Sequence, residues 1–177
     1  MTSKTRYSLT AAAGLLLACR ANVGPETGDR NQLAVEWKGV VARSFAAPAE
    51  ATWCARDSLL EILAVRADTG VGLVLVVQDS LRPGQHPVVS AALKVTWRPV
   101  ALASIRWVND SGVRGFEGNA GSVTVTEAGP AGVAGTLDVR LKHLDTSDTV
   151  RMTGRFHAAA ITPADSICGR PRQGTIQ

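Results

Sequence analysis

The chain offers few side chains able to do chemistry, and their spacing limits what they can do. Its histidines are His86, His143 and His157. Histidines that share a metal often recur at short spacing, as in H-x-x-x-H, and no two of these do. Each reads as a surface or loop residue, with His157 on the outer face of a strand. A serine nucleophile of the hydrolase type needs a G-x-S-x-G turn, and phosphate or dinucleotide binding needs a glycine-rich loop opening a helix. The sequence has neither. The stretch "GNAGS", residues 118–122, reads as a glycine-rich turn ahead of a strand. Asp145 and Asp148 share one polar loop, but calcium takes about six to eight oxygen ligands, so they read as hairpin turn residues. No catalytic residue, metal ligand set or cofactor site follows, and the chain reads as non-enzymatic.

The three cysteines carry more information, because the first follows a leader. Lys4 and Arg6 make a positive start, Leu9 to Leu17 is apolar apart from Thr10, and Ala18 precedes Cys19. That is the layout of an export signal. The apolar run is shorter than the roughly 20 residues a membrane-spanning helix needs. Leu16, Leu17, Ala18 and Cys19 resemble the lipobox of bacterial lipoproteins. The resemblance implies cleavage before Cys19, lipid on its sulfur and a new N-terminus there. Each buried lipid methylene contributes about 0.8 kcal/mol, so several acyl chains imply lasting attachment to the membrane. Family sorting habits hold a lipoprotein with Asp after the lipidated cysteine at the inner membrane. Here that residue is Arg20, which favours an outer-membrane protein facing the periplasm if the host has two membranes.

The expected organisation is therefore a signal peptide over residues 1–18, a lipidated start and flexible tether over 19–32, and one folded domain over 33–177. The tether is polar, with Gly24, Pro25 and Gly28 and little to bury. Once Cys19 is assigned to lipid, Cys54 and Cys168 remain, and a cysteine pair exported to an oxidising space is expected to form a disulfide. There is no C-x-x-C, and neither has a histidine nearby in sequence. The bridge would close most of the domain into one loop, and for a loop on the order of 100 residues the chain-entropy model gives about 4–5 kcal/mol.

Charge excludes one partner class. The formal net charge is +4, from 19 Lys and Arg against 15 Asp and Glu. Lys4 and Arg6 leave with the signal, so the folded part is closer to neutral. The arginines are scattered singly through alternating segments, with no basic cluster interleaved with aromatics. Nucleic-acid binding gains no support.

Periodicity sets the fold class. "LAVEWKGVVAR" places Leu33, Val35, Trp37 and Val41 on one side, "VGLVLVVQD" is a β-branched run, and "AALKVTW" aligns Leu93, Val95 and Trp97. "SVTVTEA", "VAGTLDVRLK" and "VRMTGRFHA" alternate apolar with polar residues, the mark of strands with one dry and one wet face. "EAGPAG" and "HLDTSDT" join them as hairpin loops, so residues 121–158 form a three-stranded meander. Gly135 and Gly154 lie inside strand patterns and mark bulges or sharp bends. "RDSLLEILAVRAD" carries a helical stripe of Leu59, Leu60 and Leu63 but fits a strand in this setting. The class is all-β, a single antiparallel β-sandwich or small β-barrel.

Trp37, Trp97 and Trp107 fall in strand patterns and Trp53 adjoins Cys54, so core packing is the expected role of most. Trp107 precedes "VNDSG" near a strand end and is the candidate ligand-binding residue, lining the mouth of the scaffold. The strands with G-x-V-x-V, V-x-G-x-L and G-x-F patterns, residues 121–156, also resemble the β-rich C-terminal part of uncharacterised envelope lipoproteins, a resemblance that brings no activity with it. The functional expectation is a lipid-anchored envelope protein serving as a binding or scaffold module for a protein partner. A calycin-like carrier of a small apolar ligand is the alternative, and an enzyme without a recognisable motif comes last.

Overall fold

The computed structural model describes residues 31–164 apart from 94, 95 and 111. Cys19, the leader, most of the tether and Cys168 lie outside the described residues. The described chain is all-β. Its strands are β1 (Gln32–Gly39), β2 (Arg43–Pro48), β3 (Glu50–Cys54), β4 (Leu59–Arg66), β5 (Thr69–Val76), β6 (Gly84–Pro87), β7 (Val100–Asn109), β8 (Gly112–Gly129), β9 (Gly132–His143), β10 (Thr149–Ala158) and β11 (Ile161–Pro163).

They form one curled mixed sheet in the order β11-β3-β4-β5-β7-β8-β9-β10-β1-β2, with β6 paired to β8. All the pairings are antiparallel except β11 beside β3 and an isolated bridge from Val88 to Ala101. β2 and β3 stand at or near opposite ends of this order yet are separated only by Ala49. A single stretch of chain therefore leaves β1 and joins β4, which brings the two ends of the sheet round into a barrel-like shell.

The alternation read from sequence decides what lies inside. Leu33, Val35 and Trp37 of β1 face inward with Leu137, Val139 and Leu141 of β9 and Val150, Met152 and Phe156 of β10. Small residues, Ala47, Ala51, Ala64, Ala101 and Ala103 on other strands and Ala49 between β2 and β3, occupy buried positions. Small against large is how a narrow barrel fills its interior. Each fully buried large side chain contributes about 1.5–3 kcal/mol.

Gly154 stands opposite Val35, and a Cβ there would run into the carbonyl oxygen of Ala34; at Gly135 it would meet the carbonyl of Thr124 and the ring of Phe156. The close approach of neighbouring backbone is what lets the sheet curl at these points. β8 carries two irregularities, between Gly118 and Ala120 and between Val125 and Glu127. "GNAGS" is thus a bulged stretch inside β8, a correction to its reading as a turn. The β8 and β9 strands meet in the expected hairpin at Gly129 and Gly132.

Two further readings are corrected. The first alternating segment ends at Gly39, and Val41 falls in the turn before β2, because Gly39 adopts φ 153° beside the backbone of Thr149 and Val150. "AALKVTW" is no strand among its described residues: residues 91–93 and 97 are turns and bends, with Leu93 and Trp97 exposed. "LLEILAVR" is β4, a strand, its Leu60, Ile62 and Ala64 turned inward.

Candidate functional site

Trp107, the residue singled out from sequence, lies in the core, 1 % exposed. Trp37 from β1 and Phe116 from β8 both stack with it, with ring centroids 5.8 and 5.4 Å away. His143 from the end of β9 meets Phe116 edge-on at 4.9 Å. The Arg43 guanidinium stands 5.1 Å from the Trp107 ring. These side chains come from strands on different sides of the shell and close one end of its interior as a stacked plug. The Trp37 Nε1 is buried there with no hydrogen-bond acceptor among the described residues.

The histidines correct a second expectation. His86 and His143 are buried, at 3 % and 8 % exposure, where surface positions were expected. His86 belongs to β6, a four-residue strand that fills the place where β7 and β8 splay, and strands that short leave no periodic trace in a sequence. Burial pushes the imidazole below its usual range, opposed by the backbone carbonyls of Gly84 and Val123. His143 serves the β9–β10 turn: the Asp145 N–H donates to its Nδ1 at 3.1 Å, and its own N–H donates to the Asp148 carbonyl. Asp148 in turn donates its N–H to the Thr146 hydroxyl, so the loop acids take part in turn hydrogen bonding. His157 is half-buried on the outer side of β10. Among the described residues no three His, Cys, Asp or Glu side chains converge as a metal site.

Cys54 ends β3 in a buried position. β11 runs parallel to β3, with Pro163 opposite Trp53, and the Ala164 N–H donates to the Trp53 carbonyl at 2.9 Å. Trp97 is 56 % exposed on the outer surface, against its expected core role, while Trp53 is half-buried against the core.

A groove of about 840 Å³ lies where the sheet comes round on itself. Its lining comes from β2 with Ser44, Phe45 and Ala46, from the β4–β5 turn at Arg66–Thr69, and from β1 and β10 with Glu36 and Arg155 among them. β2 pairs with β1 along its length, from Pro48 opposite Gln32 to Arg43 opposite Trp37. No strand is hydrogen-bonded to its other edge among the described residues, although the end of β4 comes close to it. One side chain reaches across, the Arg66 Nη1 donating to the Ala46 carbonyl at 3.3 Å. Sequence patterns did not reveal Ser44, Ala46, Arg66 or Arg155 as site residues. Pro48 was the available signal, since proline within a sheet belongs to edges and strand ends. The chain matches no protein-family model, no curated protein and no solved structure.

Proposed function

We propose that this is a lipid-anchored protein of a bacterial cell envelope and a non-enzymatic binding or scaffold module for a protein partner. The observation that carries the partner reading is the edge of β2 beside the groove, to which no strand is hydrogen-bonded among the described residues. An unpaired strand edge is a template for another chain, and soluble proteins usually cover one that has no use. The interior speaks for a surface role as well. It is filled by Trp37, Trp107, Phe116, Phe156, Leu73 and Met152, all fully buried.

Lipid attachment at Cys19 rests on the leader and its lipobox resemblance. A Cys54–Cys168 bridge belongs to the same proposal. The pairing of Ala164 with Trp53 brings the chain alongside the end of β3 only a few residues before Cys168. Mass spectrometry of the protein extracted from its own membrane tests the whole reading. In the denatured run, a mass starting at Cys19 with acyl chains and two hydrogens fewer is expected. An intact unacylated precursor overturns the lipoprotein. In the native run a second protein is expected to remain bound, and a bound small molecule in its place overturns the scaffold reading in favour of a carrier.

A further inference from the structure

The connection between β6 and β7 holds large apolar side chains in solvent instead of folding them onto the shell. Its first part is fixed to neighbouring strands. Val88 bridges Ala101, the Val89 N–H donates to the Ala101 carbonyl at 3.0 Å, and Glu117 of β8 accepts from the Ser90 hydroxyl at 2.7 Å and from the Ala91 N–H. A turn follows, in which the Leu93 N–H donates to the Ser90 carbonyl at 3.0 Å. The last part is fixed by Arg98, whose Nη1 donates to the Val77 carbonyl at 3.0 Å. Beside these fixed points Leu93 is 60 % and Trp97 56 % exposed, and both border a shallow groove of about 210 Å³ together with Val76 and Leu102 of the outer sheet face. Arg98 is the one charged residue among the described residues that line it. Apolar side chains scattered singly on a surface need no explanation, but a leucine and a tryptophan pinned beside further aliphatic surface present a docking patch.

Where the chain enters the fold says what lies nearest to that patch. Four successive antiparallel pairings, β1 with β10, β10 with β9, β9 with β8 and β8 with β7, make β1 and β7 run in the same direction. Gln32 and Val100, the first residue of each, therefore lie at the same end of the shell. Trp97 immediately precedes β7, and Asn31 leads back toward Cys19 from that same end. The 31 − 19 = 12 residue steps from Cys19 to Asn31 span at most about 40 Å, even fully extended. A lipid on Cys19 holds this end of the shell within that distance of the bilayer. The far end is less suited to lipid: its exposed aliphatics, Val108, Val113 and Leu144, stand beside the exposed Asp110 and Asp145, whose carboxylates resist leaving water.

We propose that Leu93 and Trp97 dock the shell on the bilayer that carries the anchor, which rests on the reading of Cys19 above. The indole enters the headgroup region, where tryptophan is favoured because its ring is apolar while its N–H still finds a hydrogen-bond partner. Leu93 enters beside it. A lipid at Cys19 limits distance and not orientation, so this contact sets which side of the shell faces the membrane.

The test uses full-chain protein extracted from its own membrane and reconstituted in phosphatidylethanolamine–phosphatidylglycerol liposomes, with and without phospholipid brominated high on its acyl chains. Trp37 and Trp107 are in the core and Trp53 is half-buried, so the emission lost in Trp97→Phe reports the exposed indole. Bromolipid is expected to quench that emission at least twofold, and Leu93→Asp to remove most of the quenching. Emission that bromolipid leaves unchanged, or that is quenched equally in Leu93→Asp, overturns the docking. If acrylamide cannot reach the unquenched indole either, a protein or a second copy of the chain covers the patch in place of lipid. Flotation with the liposomes and the denatured mass read the anchor separately. An acylated protein that floats with Trp97 unquenched overturns the docking alone, and an unacylated chain overturns the anchor and the docking together.

Discussion

Trp107→Ala separates a structural tryptophan from a ligand-contacting one. The indole stacks with both Trp37 and Phe116, and all three rings are about 1 % exposed. Truncation removes two ring stacks and leaves a cavity walled by strands β1, β7 and β8. These are held by continuous ladders to their neighbours, so the cavity cannot collapse freely. Large-to-small aromatic substitutions of this kind cost about 3–5 kcal/mol. The stacks, each contributing about 0.5–1.5 kcal/mol beyond burial, put Trp107 toward the upper part of that range. For a domain of this size the loss lowers Tm by about 10–20 °C. Trp107→Phe keeps a ring against its neighbours and is expected to cost about 1–2 kcal/mol. Thermal denaturation followed by circular dichroism reads both. If Trp107→Ala shifts Tm by less than about 3 °C, the plug does not stabilise the shell and the packing argument fails.

Four other outcomes follow from the same structure. Trp37→Phe is expected to cost less than Trp107→Phe, because it also removes the buried Nε1 donor that has no acceptor among the described residues, whose burial costs about 1–3 kcal/mol; the same melts compare them, and a larger loss at Trp37 contradicts the geometry. His86 is held neutral by burial, so the unfolded chain binds its proton more readily. Its contribution is complete above the unfolded value near 6.5 and is lost as the pH falls through the lower folded value. Tm is accordingly expected to fall from pH 7 to pH 5 and to fall less in His86→Gln; identical profiles for the two proteins contradict this. Cys54→Ser and Cys168→Ser are each expected to cost about 2–5 kcal/mol, and dithiothreitol to do the same to the parent protein; an unchanged melt with free thiols rejects the bridge. Gly154→Ala forces a Cβ against the Ala34 carbonyl and Val35, and a loss of about 1–3 kcal/mol is expected in urea unfolding, whereas a neutral result denies the close approach.

The all-β class and the meander of β8, β9 and β10 were legible because they rest on a local cause. Alternation in "VAGTLDVRLK" and "VRMTGRFHA" assigns each side chain to a face before any partner strand is known, and β9 and β10 follow it almost residue by residue. Gly135 and Gly154 were legible as bend positions for the same reason, since a glycine interrupting such a pattern has no side chain to pack. The expected leader and the lipidation of Cys19 rest on local pattern too, and they lie outside the described residues. Other features depended on distant chain. Trp97 and Trp107 both sit among alternating residues, yet one is exposed and the other central, because only Trp107 meets strands from the opposite side of the shell. His86 is buried because β7 and β8 diverge and a short strand fills the space between them.

The candidate site belongs wholly to this second group. Nothing near Ser44 or Ala46 in the sequence states that, among the described residues, no strand is hydrogen-bonded to this edge of β2. That follows from where Ala49 transfers the chain from β1 to β4, and from the β4–β5 turn supplying part of the groove lining. Local side-chain pattern thus determined which faces are dry and, through the leader, where the chain is expected to reside. Only the closure of the sheet decided which edge stays open, because an edge is defined by the absence of a neighbour, and neighbours are set by tertiary structure.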